Sequence, residues 1–252
     1  MSEQPVYVYG VVPASACRPI STRGVEAARV RILEHAGLGA LVSDLRADTL
    51  AAGREVRAHW RVLDEASESC TVLPVRFGTV MEGEAAVREQ LLARNAERLE
   101  PLLRELDGRV QLTLKGDYDE QQLMRDVVRE SPAVARLREQ LRSVPEEASY
   151  YERIRLGELV AAQVGHRRAE DARIALATLE PLAVAAREEQ VTHPDSAFNI
   201  AFLIDRDRQE AFNKGVRELA DRLGERVALR YVGPLPPYSF ADIELEQEAA
   251  WA

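Results

Sequence analysis

Apolar and polar positions alternate most clearly near the end of the chain. Val227, Leu229 and Tyr231 alternate with Ala228, Arg230 and Val232, which predicts a strand with one well-buried face. Gly233 and Pro234 follow directly. They are expected to end this strand, because proline fixes φ and has no amide hydrogen to donate to a sheet.

A proline-rich segment then carries two aromatic residues. Pro236 and Pro237 predict an extended, stiff arm in which Tyr238 and Phe240 project to one side. Residues 233–240 are called the C-terminal arm below. Two interpretations stay open: the arm folds back and closes the core of its own protein, or it presents its two rings to a partner.

The first hundred residues predict strands and helices in alternation. Residues 5–12 read as a strand ended by Pro13, and residues 30–34 and 38–43 as a hairpin around Gly37. A helix should follow, with Asp48 or Thr49 as its N-cap. Its buried side is expected to carry Val56, Trp60, Leu63 and Ala66. Residues 71–80 form a strongly apolar strand, so Pro74 is expected at an edge or a bulge.

A second strand–helix–strand pattern echoes the first. Gly83 should open a long helix that Pro101 kinks or breaks, and a strand follows at 109–115. The stretch at 106–116 resembles that at 223–233, and each follows an apolar strand and a helix. This predicts an α+β protein of two ferredoxin-like units, divided into domains 1–108 and 109–252, although chance similarity stays an alternative.

A helical insertion separates the two patterns. Asp119 and Ser131-Pro132 are expected to begin short helices, and Ser149 with Glu152 has capping-box spacing before a helix of some 30 residues ending near Glu180-Pro181. The closing unit has an alternating strand at 197–204. Its helix should be capped by Asp205 or Asp207, ended by Gly224, and buried through Phe212, Val216, Leu219 and Leu223.

Composition and charge narrow the functional classes. The 252 residues carry a net charge of −9, which argues against a general nucleic-acid binder or a protein adsorbed on anionic lipid. No apolar run of membrane-spanning length and no signal segment stands out, so a cytoplasmic protein is expected. Cys17 and Cys70 lack metal-ligand or redox spacing, and we expect two reduced, mostly buried thiols.

No pattern of catalytic chemistry is present in the sequence. The four histidines are scattered, there is no nucleotide-binding glycine loop, and Gly37-Leu-Gly-Ala40 is better interpreted as a hairpin turn. We therefore expect neither a metal nor a cofactor. Acidic residues recur after the arm, at Asp242, Glu244, Glu246 and Glu248, which is typical of a solvated end. The same segment also contains Trp251.

Arg76 is the charged residue in the most apolar setting. It lies between Val75 and Phe77, and a buried guanidinium needs a partner. Either Arg76 forms an ion pair with a helix carboxylate of its own protein, or it contacts a binding partner or an anion. An exposed and unpaired side chain would rule out the first alternative.

Three motifs resemble those of the gas vesicle protein F/L family (GvpF/GvpL). They are Gly233-Pro-Leu-Pro-Pro-Tyr-Ser-Phe240, then Leu73-Pro-Val-Arg-Phe-Gly-Thr79 after a helix with His59-Trp60, and Tyr7-Val-Tyr-Gly-Val-Val-Pro13. The resemblance covers residues 6–240. It implies a two-domain fold with a modified ferredoxin-like C-terminal domain.

The resemblance also implies a function. The expected protein is a minor gas vesicle protein that takes part in assembly, is not an enzyme, and binds the main shell protein and other accessory proteins. Self-association stays open. The candidate interaction residues are those of the signature motifs: Pro74, Arg76, Phe77, Gly78, Gly233, Pro234, Pro236, Pro237, Tyr238 and Phe240. The alternatives are a small-ligand-binding regulatory module or enzyme on a ferredoxin-like scaffold, and a structural component of the vesicle wall.

Overall fold

The computed structural model describes residues 4–46, 52–145, 148–191 and 193–241. It confirms an α+β protein with two antiparallel sheets. The chain divides into two compact units, one made of the described residues of Met1–Gln111 and Gly233–Ala252, the other of Leu112–Val232. The C-terminal arm is therefore grouped with the first unit. The helix cap expected at Asp48 or Thr49, the acidic positions from Asp242 onwards and Trp251 lie outside the described residues.

The sheet of the first unit is built around its first strand. β1 (Val6–Pro13) pairs with β3 (Leu38–Asp44), which pairs with β2 (Arg31–His35), and both pairings are antiparallel. Ala36 and Gly37 both have positive φ, 46° and 88°, which matches the tight turn that the right-handed twist of a hairpin favours. The predicted hairpin is confirmed.

The apolar stretch at 71–80 is two short strands rather than one. β4 (Leu73–Pro74) and β5 (Val80–Met81) both pair with β1. Pro74 lies opposite Gly10, and Val80 lies opposite Tyr7. The chain from Pro74 to Val80 therefore contains more residues than the stretch of β1 that it pairs with. The surplus residues bulge out as a loop at 75–79, called the signature loop below. The expected position of Pro74 at an edge strand is confirmed.

Helix α1 (Ala52–Ser67) packs on this sheet through a face that matches the prediction at Leu63 and Ala66 only. Its buried positions are Glu55, Ala58, His59, Val62, Leu63 and Ala66. Trp60 is 38% exposed and Val56 only half-buried, so the prediction of Val56 and Trp60 on the apolar face was wrong. The two polar residues are held by hydrogen bonds, His59 to the buried Tyr7 hydroxyl and Glu55 to the backbone N–H of Glu26, which hydrophobic periodicity alone does not reveal.

The next helical segment contains a wide turn and a proline. It runs as α2 (Glu84–Ala86), a π-helical stretch at Val87–Ala93, and α3 (Arg94–Glu105). Asn95 Nδ2 donates to the carbonyl oxygens of Gln90 and Leu91 at 2.9 and 2.8 Å, which satisfies acceptors beside the π-helical stretch. The sequence predicted that Pro101 would kink or break the helix. Pro101 lies within α3, so the helix is not broken there.

The second sheet has the strand order β7-β8-β6-β9. Its strands are β6 (Arg109–Tyr118), β7 (Ala185–Glu188), β8 (Ser196–Asp205) and β9 (Val227–Leu235). The sequence did not predict β7, which is short and half-buried at best. The expected buried face of β9 was wrong: Val227 is buried, but Tyr231 is 37% exposed. As an edge strand, β9 also continues past Gly233-Pro234 instead of ending there.

Helices of the second unit begin mostly where predicted. α4 (Glu120–Glu130) and α5 (Pro132–Leu141) are capped by Asp119 and Ser131, whose side chains accept backbone N–H bonds. α6 (Tyr150–Leu179) has the expected length of 30 residues. Its capping box does not form, since the Ser149 hydroxyl bonds the Pro145 carbonyl oxygen instead of capping the helix.

The last helix, α7 (Gln209–Leu223), buries Phe212, Leu219 and Leu223 as predicted. Gly215 rather than Val216 completes the buried face, and its Cα faces Leu179 and Leu182 so closely that a Cβ would clash at 2.6 Å. Arg208, not an aspartate, precedes the helix. Gly224 ends it with a φ of 60°, as expected.

A buried ion pair fixes α6 within the second unit. Asp171 is 1% exposed and accepts a hydrogen bond from the Tyr118 hydroxyl at 2.8 Å and one from Arg226 Nη2 at 2.5 Å. Tyr118 and Arg226 lie in or beside β6 and β9, so a single carboxylate ties the helix to two strands. None of the described helices is long and apolar enough to cross a membrane.

Candidate functional site

The signature motifs, far apart in the sequence, gather in the first unit. Strand β1 contributes Tyr7 and Tyr9, helix α1 contributes His59 and Trp60, and the signature loop contributes Phe77. The ring centroids of Tyr7 and Tyr9 are 4.8 Å apart, and those of His59 and Phe77 are 5.7 Å apart. The packed rings of Tyr7, Tyr9, His59 and Phe77, which we call the aromatic cluster, fix the position of the signature loop.

Hydrogen bonds hold the signature loop in its shape. The Tyr7 hydroxyl accepts from the backbone N–H of Gly78 at 3.1 Å. Within the loop, the Thr79 N–H and hydroxyl both donate to the Arg76 carbonyl oxygen, at 3.2 and 2.7 Å. Gly78 has a φ of 90°, a conformation that favours glycine, and a Cβ there would meet only open space.

His59 connects the loop to the sheet. It is 2% exposed, and burial lowers the pKa of its imidazole from 6.5 to about 4, so the ring is neutral near pH 7. One ring N–H donates to the Val75 carbonyl oxygen, so Nδ1 is left to accept from the Tyr7 hydroxyl at 2.9 Å. Burial likewise raises the pKa of Tyr7. These groups are sealed from solvent, and we assign them to positioning the loop.

Tyr9 anchors a second loop in the same core. Its hydroxyl accepts from the backbone N–H of Val25 at 2.8 Å and shares a hydrogen bond with Ser43 Oγ at 2.8 Å. Gly24 lies so close that an added Cβ would stand 2.0 Å from the Tyr9 hydroxyl oxygen. The sequence analysis did not single out these contacts. A signal was present, however, because Tyr7 and Tyr9 share one face of a strand.

The C-terminal arm folds back onto the first unit instead of extending from it. Residues 236–241 form a turn in which the N–H groups of Phe240 and Ala241 both bond the Pro237 carbonyl oxygen, and the N–H of Ser239 bonds Gln111 Oε1 at 2.8 Å. The Tyr238 ring packs on Trp60 with centroids 4.2 Å apart. Phe240 is only 9% exposed.

This arrangement is the intramolecular alternative for the arm. Pro236 and Pro237 are buried, whereas Gly233 and Pro234 are exposed at the end of β9. The prediction of an extended arm with two projecting rings was wrong, because a proline also presets the first bend of a turn. Tyr238 and Phe240 are thus mainly internal contacts, and Trp60 is the ring that reaches the surface beside them.

Arg76 lies on the surface at the tip of the signature loop. The bulge turns its side chain outward, while its neighbours Val75 and Phe77 point into the unit. Among the residues that the structure describes, no carboxylate lies within ion-pair distance of its guanidinium. Within the described residues, the expected internal ion pair therefore does not form. Val80, next to the loop, is 39% exposed.

A groove of about 920 Å³ opens elsewhere on the first unit. It is lined by charged side chains that include Arg31, Asp44 and Glu84, together with Arg23, Glu26, Arg29 and Arg46. Arg31 Nη2 pairs with Asp44 at 2.7 Å and with Glu84 at 2.9 Å, so one guanidinium is shared by two carboxylates of the lining. Across the described ranges, no group of three or more histidine, cysteine or acidic side chains could hold a metal ion.

The two cysteines lie side by side in the first unit, which their spacing in the sequence did not predict. Both are half-buried free thiols that pack on the same core. Cys17 follows β1, and Cys70 follows α1. Each is the main influence on the pKa of the other, which is lowered for Cys17 and raised for Cys70.

The fold and the gathered motifs define a two-unit α+β protein whose first unit displays the signature loop directly after Pro74. Comparison with known proteins gives its family. Residues 5–242 match the sequence profile of the family described as gas vesicle synthesis protein GvpL/GvpF. The chain belongs to this family, and it is a gas-vesicle-associated protein.

Individual relatives match over nearly their whole length. Gas vesicle protein F of Streptomyces sp. (strain CB03234) is 35% identical over 242 residues, covering 94% of this chain and 99% of the relative. Gas vesicle protein F of Nostoc sp. is 27% identical, with 94% and 98% covered. The crystal structure of GvpF from Anabaena sp. PCC7120 superposes with a TM-score of 0.80 at 27% identity, covering 96% of this chain and 99% of that one.

Proposed function

We propose that this protein assists gas vesicle assembly by binding the main shell protein, and that the tip of the signature loop with the neighbouring exposed apolar surface makes the contact. Membership of the GvpL/GvpF family supports the assembly role. One observation carries the location. The buried aromatic cluster holds a loop whose one charged residue, Arg76, turns outward and has no ion pair among the described residues.

The chemistry of this surface suits a protein partner. A guanidinium can form two parallel hydrogen bonds with a carboxylate, and arginine and tryptophan are enriched among the residues that dominate binding energy. Arg76 is exposed and can reach such a carboxylate, and Trp60 offers 38% of its surface. A small apolar shell subunit needs its exposed surface covered before it joins the wall, and Val80 and Trp60 supply apolar contacts for that purpose.

The arm has a supporting role in this proposal. Tyr238 packs under Trp60, so the arm fixes the orientation of the indole without meeting the partner through Phe240. The domain assignment follows the same logic. We propose that residues 1–108 with the arm form the shell-binding part, and that the ferredoxin-like unit with its helical insertion serves other contacts in the assembly.

Co-purification with the shell protein tests the proposal. The tagged full chain is co-expressed with the shell protein, and retention is compared for the wild type, Arg76→Glu and Arg217→Glu. Arg217 is the matched control, an exposed arginine on α7. We expect Arg76→Glu to lower retention at least about tenfold, because the positive charge that would pair with a carboxylate of the shell protein is replaced by a negative charge that repels it. Wild-type retention by folded Arg76→Glu protein would contradict the proposed site.

A permanent place in the vesicle wall is the competing role. Quantitative mass spectrometry of purified vesicles separates the two. An assembly factor is expected in amounts far below those of the shell protein, and at lower amounts in mature than in growing vesicles. A constant ratio to the shell protein throughout growth would instead identify a wall component.

A further inference from the structure

The loop between β1 and β2 is tied to the end of α1 by several hydrogen bonds. The backbone N–H of Arg18 donates to Ser69 Oγ at 3.2 Å. Further along the loop, the N–H and hydroxyl of Ser21 both donate to Glu65 Oε1 at 2.7 Å, and the N–H of Thr22 donates to Glu65 Oε2 at 2.8 Å. The loop is thus held at two places, by Glu65 in the last turn of α1 and by Ser69 just beyond the end of the helix.

Cys17 and Cys70 flank the first of these hydrogen bonds. Cys17 precedes Arg18, and Cys70 follows Ser69, so this bond holds together the two segments that carry the cysteines, whose thiols contact each other. Both thiols rest on the hydrophobic core of the first unit, and the Cys70 N–H and thiol both bond the Ala66 carbonyl oxygen. The backbone on both sides is held in place without any covalent link.

We propose that Cys17 and Cys70 are a modification site at which a peroxide forms a reversible disulfide within one chain. Half-burial leaves each thiol within reach of a small oxidant, while the paired segments favour closure within the molecule over a link to a second copy. Disulfides of reducing compartments are mostly transient and redox-sensing, which fits a site that is free in its resting form.

The chemistry takes two balanced steps. The Cys17 thiolate attacks one oxygen of hydrogen peroxide and becomes a sulfenic acid, and the hydroxide that leaves takes up a proton to become water. The Cys70 sulfur then attacks the Cys17 sulfur, which expels a second water and forms the S–S bond. Overall, two thiols and one peroxide give one disulfide and two waters. A small dithiol reverses the reaction by exchange.

Cys17 is the better first nucleophile. The neighbouring Cys70 thiol, and then the Ser69 hydroxyl, lower the pKa of Cys17, so a larger fraction of it is thiolate. Cys70 has a raised pKa and remains protonated until the sulfenic acid forms beside it. This division between an attacking and a resolving cysteine is what redox-sensing pairs require.

The bond would restrain one wall of the groove on the first unit. The loop that starts at Cys17 supplies Pro19, Ile20 and Arg23 to the groove lining. In the described structure, hydrogen bonds and core packing connect this loop with the end of α1, and both thiols are free. A covalent link would prevent the loop from opening, and it would stabilise the first unit because it closes a long loop of the unfolded chain.

The test uses the full-length protein with hydrogen peroxide and then dithiothreitol. Thiol titration should fall from two groups to none, with a mass loss of about 2 Da for the two hydrogens and a monomer on a non-reducing gel. Peptide mapping should recover the segments around Cys17 and Cys70 as one linked species. We expect the oxidised protein to melt roughly 5–10 °C higher and to return on reduction.

Single serine variants supply the controls. Cys17→Ser should keep its remaining thiol titratable at peroxide doses that oxidise the wild type, because its resolving cysteine has lost its partner. Cys70→Ser should stop at the Cys17 sulfenic acid, which a dimedone label detects. Two titratable thiols after peroxide in the wild type, or a link between two chains, would overturn the proposal. Circular dichroism of the reduced variants checks that they fold.

Discussion

The rings of Trp60 and Tyr238 lie 4.2 Å apart, and this contact joins the first long helix to the C-terminal arm. Tyr238 packs against the hydrophobic core of the first unit, yet its hydroxyl is buried with no hydrogen-bond partner among the described residues. Burial accordingly raises the pKa of this phenol, with the nearby Asp64 carboxylate adding to the effect. The ring of Tyr238 therefore stabilises the fold, whereas its hydroxyl destabilises it.

Two substitutions separate these contributions. Tyr238→Ala should lower the free energy of unfolding by about 2–3 kcal/mol, because it removes a half-buried ring and leaves a cavity beside Trp60. Tyr238→Phe should be neutral or stabilising by up to about 1 kcal/mol, because it removes an unpaired buried hydroxyl and keeps the ring. Urea denaturation measures both. Equal losses in the two variants would mean that the hydroxyl has an essential partner.

The sequence predicted the strands and helices better than it predicted which side chains they bury. Alternation and capping residues located the hairpin around Gly37 and the helices after Asp119 and Ser131, since these signals are local. The outward turn of Arg76 was missed, because it depends on how the registers at Pro74 and Val80 differ against β1. The turn of the arm was missed because prolines suit extended and turned chains alike.

The same limit explains the candidate site. The motifs named the right segments, but no local pattern shows that His59 bonds Tyr7 or that Cys17 lies beside Cys70. Those contacts join positions more than fifty residues apart and are set by the packing of α1 on the sheet. Sequence patterns gave residue types and elements, and tertiary packing decided which polar groups meet.

His59 should make stability depend on pH. Its pKa is about 4 in the folded protein against 6.5 in an unfolded chain, so the unfolded state binds a proton more readily. The stabilisation is complete above about pH 6.5 and is lost as the pH falls towards 4, by up to about 3 kcal/mol. Urea midpoints measured from pH 7 to pH 5 should show this decline, before most carboxylates titrate.

A histidine control identifies the source of that slope. His59→Phe keeps a ring of similar size in the core and should flatten the pH dependence between pH 7 and pH 5. His166 is exposed on α6, and His166→Gln should leave the slope unchanged. A wild-type slope in the His59→Phe variant would show that another group is responsible.

Asp171 should be one of the most sensitive carboxylates in the second unit. Asp171→Ala removes the partner of Arg226 and of the Tyr118 hydroxyl, and we expect a loss of about 2–4 kcal/mol in the free energy of unfolding. The adjacent Glu170 is the matched control. Its pair with Arg173 is exposed and 4.0 Å long, so Glu170→Ala should cost less than about 0.5 kcal/mol. Thermal or urea unfolding of the two variants would contradict this if the losses were alike.

Two glycine-to-alanine substitutions test opposite cases of packing, one beside Tyr9 and one on the exposed side of α6. In Gly24→Ala the new Cβ would lie 2.0 Å from the Tyr9 hydroxyl oxygen and 2.7 Å from its Cζ, both on a rigid ring that bonds Val25 and Ser43. Relief requires that the ring or the loop move, so we expect a loss of roughly 2–3 kcal/mol in the free energy of unfolding, as for an overpacked core. Gly157 in α6 is the counterpart, since a Cβ there meets nothing within 4 Å. Gly157→Ala should stabilise the protein by about 0.5–1 kcal/mol through helix propensity, and a destabilised Gly157→Ala variant alongside an unaffected Gly24→Ala variant would contradict the described packing of both segments.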